Sequence, residues 1–325
     1  MHTALTRRGF LTMAAAAGLV TACGSEKPGT VADDGSVTVT HVFGETRIPA
    51  PPHRVVSAGF TGQDDLLALG VVPVAVTEWF GGQPFGVWPW AQPALGGAQP
   101  TVLSLADGIQ VEQIAALKPD LVIATDAGLD AATYAALSAI APTVAQSGQD
   151  AFFEPWKDQA TTIGQAVFNG DRMKDLIDRV DAKFVTAGKD NPHFNGTKVL
   201  LLGGTFYRDS VHVTPAGWRT DFLTQMGLVI PDSIDNFDRD GRALIPRSEA
   251  VSVLDTADVL IWATESDEEQ AALAADPTIA QLRATAERRN IFTGKDLAGA
   301  IAFASPLSYP VVADQLPPRI TAALA

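Results

Sequence analysis

Cysteine is nearly absent from this chain of 325 residues, which has one cysteine, Cys23. Because a disulfide needs two cysteines, no intrachain disulfide can form, and the fold must be held by its hydrophobic core. Histidine is also scarce. After the N-terminal segment the histidines are dispersed, at His41, His53, His193 and His212, without the close spacing that metal sites use. We therefore predict no metal site formed by the protein alone.

Catalytic signatures are missing as well. The sequence has no Gly-x-Ser-x-Gly, His-Glu-x-x-His, Cys-x-x-Cys or phosphate-loop motif, and no Gly-x-Gly-x-x-Gly after a strand. Residues 236–241 imitate the start of a calcium loop, but Arg247 stands where the closing glutamate belongs. We predict that the protein is not an enzyme and has no resident cofactor.

Positive charge is in short supply, with 23 Lys and Arg against 37 Asp and Glu and a net charge of −14. Such an acidic chain is poorly suited to bind nucleic acid or to adhere electrostatically to anionic lipid. Any attachment to a membrane therefore needs a feature other than surface charge.

The N-terminal segment has the features of a membrane-attachment signal. A basic start precedes an apolar run, residues 13–20, that is too short to span a bilayer. Residues 6–11 resemble the twin-arginine export signal, and residues 20–23 resemble a bacterial lipobox, which implies cleavage before Cys23 and attachment of a diacylglycerol to it. We predict a signal peptide over 1–22, a flexible tether over 23–36, and a protein held at the outer face of the cell membrane by lipid alone.

The rest of the chain alternates between apolar strands and amphipathic helices in both halves, which predicts two α/β lobes. A small hairpin over 37–49 comes first. In the first half we predict strands at 54–57, 72–77 and 120–125 and helices at 63–69, 112–117, 131–140 and 155–168. In the second half we predict strands at 198–202, 211–213, 259–263 and 290–293 and helices at 218–226, 268–275, 278–287 and within 308–324.

The spacing of apolar residues over 171–188 predicts one stiff helix, about 27 Å long, between the halves. Its apolar stripe comprises Met173, Leu176, Ile177, Val180, Phe184 and Ala187. Gly188, followed by Pro192, supplies the predicted stop. By itself this pattern fits either an ordinary surface helix or a connector between lobes.

A weak internal repeat supports a division into two lobes. In each half a glutamate opens a helix, and an aspartate then precedes an apolar strand that ends in Ala-Thr. The glutamates are Glu112 and Glu249, and the aspartates are Asp120 and Asp258. Because helix-then-strand units recur throughout α/β proteins, the repeat leaves duplication open.

Three motifs carry a family resemblance: residues 52–57 leading to 65–71, then 73–76, and finally 117–123. With the lipobox and the repeat, they resemble the cluster-A, or class III, substrate-binding proteins of ABC importers, which include ferrichrome, ferric-citrate and vitamin B12 binders. The resemblance implies two Rossmann-like lobes, 37–168 and 191–325, joined by one long helix over 169–190, with the ligand in the cleft between them and little hinge motion. It also implies a monomer in which Glu112 and Glu249 contact arginines of a permease.

Ligand residues are predicted in the loops that follow the strands, where α/β proteins place their sites. Aromatic residues after residue 77 are candidates for an amphipathic wall, although they also fit a local packing cluster. Arginines from the second half are candidates to pair with an anionic iron chelate. The candidates are Phe60, Trp79, Phe80, Trp88, Trp90, Tyr207, Arg208, Trp218, Arg219, Phe237, Arg239 and Arg242.

The predicted function is capture of a ferric siderophore and its delivery to an ABC permease. Haem or a corrinoid is the alternative ligand, with Tyr207 and His212 as the nearest candidates to ligate iron. A non-transport envelope protein and an exported enzyme are further alternatives. The sequence does not distinguish hydroxamate, catecholate and mycobactin-like chelates.

Overall fold

The computed structural model describes residues 29–325. The predicted signal peptide and Cys23 lie outside the described residues.

The first half contains a hairpin and a parallel sheet, as the sequence predicts. Strands β1 (Val37–His41) and β2 (Gly44–Ile48) pair antiparallel. The sheet has five strands, all parallel, in the order β5-β4-β3-β6-β7. Its strands are β3 (Val55–Ser57), β4 (Ala75–Thr77), β5 (Thr101–Leu103), β6 (Leu121–Ala124) and β7 (Thr143–Ala145). Its helices are α1 (Gly62–Ala68), α2 (Val111–Ala116), α3 (Ala131–Ser138) and α4 (Trp156–Ala166).

The long helix α5 (Gly170–Asp190) leads from the first half to the second. Met173, Ile177, Val180 and Phe184 form its buried stripe, which confirms the predicted apolar face. The predicted stop at Gly188 is wrong, because the helix continues to Asp190. A Cβ at position 188 would lie 2.7 Å from the backbone oxygen of Met226, so this glycine permits close packing rather than ending the helix.

The second half contains a mixed sheet of six strands in the order β10-β11-β9-β8-β12-β13. Strands β8, β12 and β13 are parallel, whereas β9, β11 and β10 extend the sheet in antiparallel fashion. The strands are β8 (Val199–Tyr207), β9 (Ser210–Thr214), β10 (Asp238–Arg239), β11 (Arg242–Pro246), β12 (Val259–Ala263) and β13 (Asn290–Phe292). The helices are α6 (Asp221–Gln225), α7 (Arg247–Leu254), α8 (Asp267–Ala275), α9 (Arg283–Ala286), α10 (Lys295–Phe303) and α11 (Ser308–Leu324).

Two predictions around the candidate arginines are corrected by the structure. The sequence predicts an irregular segment around Phe237, Arg239 and Arg242, but these residues close a 3₁₀ turn, form β10 and open β11, respectively. Trp218 and Arg219 precede a helix that begins only at Asp221.

Two further differences concern helices near the C-terminus. The predicted helix over 278–287 is divided into a 3₁₀ turn (Ile279–Gln281) and the short helix α9. Helix α10 was not predicted at all.

One continuous hydrophobic core joins the two halves. It includes Ile163 of α4, Val180 of α5 and Leu316 of α11, together with apolar residues from both sheets, such as Leu121 and Leu201. Because interiors are close-packed, this shared core ties the halves together. In the part of the chain that the structure describes, no helix combines the length and apolarity needed to cross a bilayer.

Candidate ligand pocket between the two halves

A pocket of about 370 Å³ lies where the two halves meet. Its size falls at the lower end of the range for small-molecule sites. Residues from loops of the first half, strands of the second half and helix α10 share in forming it. The lining residues are Trp79, Phe153, Leu201, Leu202, Gly203, His212, Thr214, Trp218, Arg219, Arg242, Ala263, Ala298, Ile301, Ala302, Ala304 and Tyr309.

The first half contributes an aromatic wall. Trp79 follows β4 directly, and its ring lies 5.4 Å from that of Phe153. Phe60, which follows β3, stacks on Trp79 at 5.5 Å and on the exposed ring of Phe152 at 6.2 Å. Because the carboxyl ends of parallel strands meet at one edge of the sheet, residues far apart in sequence form one surface.

The second half contributes cationic side chains. The Arg219 guanidinium lies 4.4 Å from the Trp218 ring centroid and 5.1 Å from that of Phe153, and Arg242 lies 5.7 Å from the same Phe153 ring. These stacking contacts hold the arginine planes against aromatic faces. Burial, followed by the charge of Arg242, lowers the pKa of Arg219 from its usual value. Burial, followed by the charges of Arg242 and Arg219, likewise lowers the pKa of His212.

No carboxylate neutralises these arginines at contact distance. Among the ion pairs of residues 29–325, none includes Arg219 or Arg242. Asp150 lies beside Arg219 around a smaller adjoining cavity of about 80 Å³, but it forms no salt bridge with it. The pocket therefore has positive charge available for an anionic ligand.

Other aromatics of the loop after β4 pack instead of lining the pocket. Trp88 is buried and stacks on Trp90 at 4.9 Å, and both rings contact Phe303 of α10. Phe80 lies between Trp79 and Trp88, at 4.8 and 5.2 Å. The aromatic residues of this loop thus divide between binding and packing. Trp79 lines the pocket, whereas Phe80, Trp88 and Trp90 pack against Phe303 of α10.

Glycine at position 299 makes this packing possible. A Cβ there would lie 2.5 Å from the Trp88 ring, closer than atoms can approach. Nearby, Lys295 donates to the Gly81 carbonyl at 2.5 Å. Helix α10 is therefore a direct bridge between the halves as well as a wall of the pocket.

A second bridge involves a buried carboxylate. Asp64 Oδ2 accepts hydrogen bonds from the Trp90 indole at 2.7 Å and from the Ser305 hydroxyl at 2.7 Å. Burial raises the pKa of Asp64 to about 6, against the lowering effect of these two bonds. Because Ser305 lies between α10 and α11, this contact also joins the halves.

Asp64 belongs to a cluster of buried acids beneath the aromatic wall. Burial is the main cause that raises the pKa of Asp65, Asp126 and Glu154, in the case of Asp126 to about 7. Asp65 Oδ2 accepts from Gln159 at 2.8 Å. Within residues 29–325 no three His, Cys, Asp or Glu side chains are arranged to hold a metal ion, so the cluster is not a metal site.

Several predicted ligand residues lie away from the pocket lining. Tyr207 is 65% exposed at the end of β8, where Arg208 stacks over its ring at 5.1 Å. Phe237 packs against the core of the second half, and the exposed Arg239 donates to the Asp238 carbonyl. Of the twelve predicted residues, those that line the pocket are Trp79, Trp218, Arg219 and Arg242.

Sequence reasoning missed other lining residues. Phe153 contacts Trp79 and both arginines, yet it precedes a helix and follows no predicted strand. Tyr309 lies in the first turn of α11 and is buried against Trp156 and Phe184. The only available signals were an adjacent Phe pair at 152–153 and an aromatic residue at a helix start, and neither specifies a pocket.

Glu112 and Glu249 occupy equivalent places in the two halves. Each is exposed in the first turn of a helix, α2 or α7, that leads to a buried parallel strand, β6 or β12. The helix-then-strand repeat seen in the sequence therefore exists in the structure.

Comparison with known proteins identifies the family. The model of the periplasmic binding protein family matches residues 55–297. The chain belongs to this family. Its fold matches the crystal structure of a periplasmic solute binding protein from Mycobacterium smegmatis with a TM-score of 0.86 and 68% identity, over 90% of this chain and 100% of that one.

Two curated relatives show the range of the family. YhfQ of Bacillus subtilis, named as an ABC transporter substrate-binding lipoprotein, is 31% identical over 64% of this chain. FecB of Escherichia coli, named as a Fe(3+) dicitrate-binding periplasmic protein, is 26% identical over 60% of this chain. The matches span 63% of the length of each relative. Both relatives are named as binding proteins, in agreement with the prediction that this chain is not an enzyme.

Proposed function

We propose that this protein captures a ferric siderophore in the pocket between its halves and delivers it to an ABC permease. The observation that carries the proposal is the pair of unneutralised arginines, Arg219 and Arg242, opposite the aromatic wall of Trp79 and Phe153. An anionic chelate with planar chelating groups matches both surfaces, because guanidinium groups bind carboxylate or phenolate oxygens and aromatic rings stack on planar groups. The name of FecB supports iron chelates as the ligand class.

Haem or a corrinoid remains the second candidate, and His212 is the observation that favours it. Its imidazole lines the pocket, and its Nε2 has no hydrogen-bond partner among the described residues. Tyr207, the other residue considered as an iron ligand, does not line the pocket. The two arginines can bind propionate or phosphate groups equally well. A binding measurement must therefore decide between a ferric siderophore and haem or a corrinoid.

A binding screen tests the proposal. The chain that begins after Cys23 is titrated with a ferric trihydroxamate, a ferric tricatecholate, ferric citrate, haem and cobalamin. Saturable quenching of tryptophan fluorescence is expected from a ferric siderophore, because Trp79 and Trp218 line the pocket beside an absorbing metal complex. Tight binding of haem with no binding of any ferric siderophore would favour the second candidate instead.

Anchoring and docking complete the proposal. The lobes 37–168 and 191–325, joined over 169–190, are held outside the membrane by the lipid on Cys23. The protein is a monomer whose two exposed glutamates, Glu112 and Glu249, meet arginines of the permease. Support comes from their matched positions at the starts of α2 and α7.

Charge reversal tests the docking role. The double variant Glu112→Arg/Glu249→Arg should bind the ferric ligand normally but lose uptake in cells, because like charges then meet across the contact. A variant with Glu268, an exposed acid on α8, changed to Arg is the matched control and should import normally. Normal import by the double variant would remove these residues from the permease contact.

A further inference from the structure

The pocket adjoins a sheet face on which Leu244 and Tyr207 are exposed. Strands β8, β9 and β11 pair antiparallel, so directly opposite residues share a face. His212 of β9 lies opposite Leu244 of β11, and Ser210 lies opposite both Tyr207 of β8 and Pro246 of β11. Because alternate residues of a strand share a face, Ser210, Leu244 and Tyr207 continue the surface on which His212 lines the pocket.

This face carries two exposed side chains of large apolar area. Thr214, next to the core, is buried, whereas Leu244 is 56% exposed and Tyr207 65% exposed. The opposite face of the same strands is buried, with Val211, Val213 and Ala243 in the core of the second half. The pocket-side face is therefore not part of this core, and it leaves Leu244 exposed and Tyr207 exposed beneath Arg208.

Gly203 and His212 lead from the pocket to this face, and Arg208 stacks over the Tyr207 ring at its far end. Gly203 lines the pocket beside His212, and a Cβ added to it would lie 3.5 Å from the His212 Cβ. A bulge between Leu202 and Phe206 then bends β8 before it reaches Tyr207. Arg247, at the far side, is neutralised by Asp209 and Asp276.

We propose that Tyr207, Ser210, Leu244 and Pro246 form an apolar shelf that binds an uncharged hydrocarbon or aromatic arm of the ligand, while its anionic chelating part occupies the pocket. The inference rests on the proposed function and names the ligand class more closely: an amphiphilic ferric chelate. The choice of the ligand as occupant follows from continuity, because the shelf begins at residues that line the pocket. A pocket of about 370 Å³ also leaves a larger chelate to extend along the surface.

Two chelates of equal charge test the proposal. N-succinyl ferrioxamine B and its octylsuccinyl analogue carry the same ferric centre and carboxylate and differ only in the octyl arm. Their dissociation constants are measured by tryptophan fluorescence. The native sequence should bind the octyl chelate at least about tenfold more tightly, because burial of several methylene groups contributes to its affinity.

Matched variants locate the effect. Leu244→Ser/Tyr207→Ser should reduce the preference to about twofold or less and leave the affinity for the short chelate unchanged. Val229→Ser, at an exposed apolar residue that follows α6 and lies beside the start of β8, should retain the full preference.

The outcomes separate the shelf from the proposed function. Equal binding of both chelates by the native sequence would overturn the shelf and leave the proposed function standing. Binding of neither chelate, together with no binding of any ferric chelate in the screen, would contradict both. Light scattering completes the test by measuring the oligomeric state. If the native sequence formed a dimer and the double variant were monomeric, the shelf would bind a second copy of the chain, and the inference would be overturned.

Discussion

The two walls of the pocket share a scaffold but differ in chemistry. Both halves place a helix-then-strand unit behind the pocket, α2 with β6 and α7 with β12. The first half then presents aromatic rings above buried acids, whereas the second half presents arginines that are not neutralised. A repeated scaffold therefore does not produce a symmetric site, because the loops beyond the strands determine what meets the ligand.

The difference has an energetic consequence. Acids of the first half are shielded from water and are held largely protonated when the pH is below their raised pKa values, so they bring little negative charge to the pocket. The arginines of the second half keep their charge at any such pH. The arginines of the second half thus attract an anionic ligand, and the aromatic rings of the first half stack on it.

The largest expected effect separates two tryptophans of the aromatic wall. Trp88→Ala should lower the free energy of unfolding by about 3–5 kcal/mol, because it empties a buried site that joins the loop to α10. Trp79→Ala should instead weaken ligand binding by about 1–3 kcal/mol with a smaller loss of stability. Urea unfolding and fluorescence titration of both variants measure the two quantities. If the two variants behaved alike, the division of this loop into packing and binding residues would be wrong.

The buried acids predict the next effect, a loss of stability as the pH rises. A carboxyl whose pKa is raised in the folded state favours folding below its unfolded pKa, and this contribution disappears as the pH rises through the folded value. For Asp126 the window runs from 3.8 to about 7, and for Asp64 from 3.8 to about 6. The contribution of these two acids to the free energy of unfolding should therefore fall by several kcal/mol as the pH rises from about 4 to about 7.

A neutral substitution gives the control for this pH dependence. Asp126 has a positive φ of 51°, which asparagine tolerates well, so Asp126→Asn keeps the backbone and removes the charge. Its unfolding free energy should vary less over the same pH range than that of the native sequence, and Asp107→Asn at an exposed site should change nothing. An unaltered pH profile in Asp126→Asn would mean that this acid is not protonated in the folded protein.

The smallest predicted effect concerns the cationic wall. Arg219→Ala or Arg242→Ala should weaken binding of an anionic ferric chelate by about 1.5–3 kcal/mol each, the range for hydrogen bonds to charged groups. Arg239→Ala, on β10 outside the pocket lining, should bind as the native sequence does. Isothermal titration measures all three. Equal losses in all three variants would point to a general effect of charge rather than to contacts in the pocket.

Much of the fold could be predicted from the sequence because its strongest signals are periodic. The stripe of α5 and the buried strands β6 and β12 appear where their patterns place them. The edge strands β5 and β7 were not predicted. Helix α10 escaped notice because four of its nine residues are alanine or glycine, which leave little contrast between polar and apolar faces. One of them, Gly299, allows the close contact with Trp88.

The site was predicted less completely than the fold. Arg219 and Arg242 were among the candidates, but so were Arg208 and Arg239, and local sequence does not distinguish them. Only their places in the folded chain separate them: Arg242, at the start of β11, lines the pocket, whereas the turn after β8 carries Arg208 away from it. Phe153 and Tyr309 reach the pocket only through tertiary packing.

The location of the iron atom tests the central claim most directly. Crystals of the protein with the ferric siderophore that binds most tightly in the screen are measured at the iron absorption edge. The account predicts one strong anomalous peak inside the pocket, between Trp79 of the aromatic wall and Arg219 and Arg242 of the cationic wall. A peak away from these residues, with the pocket left to solvent, would contradict it.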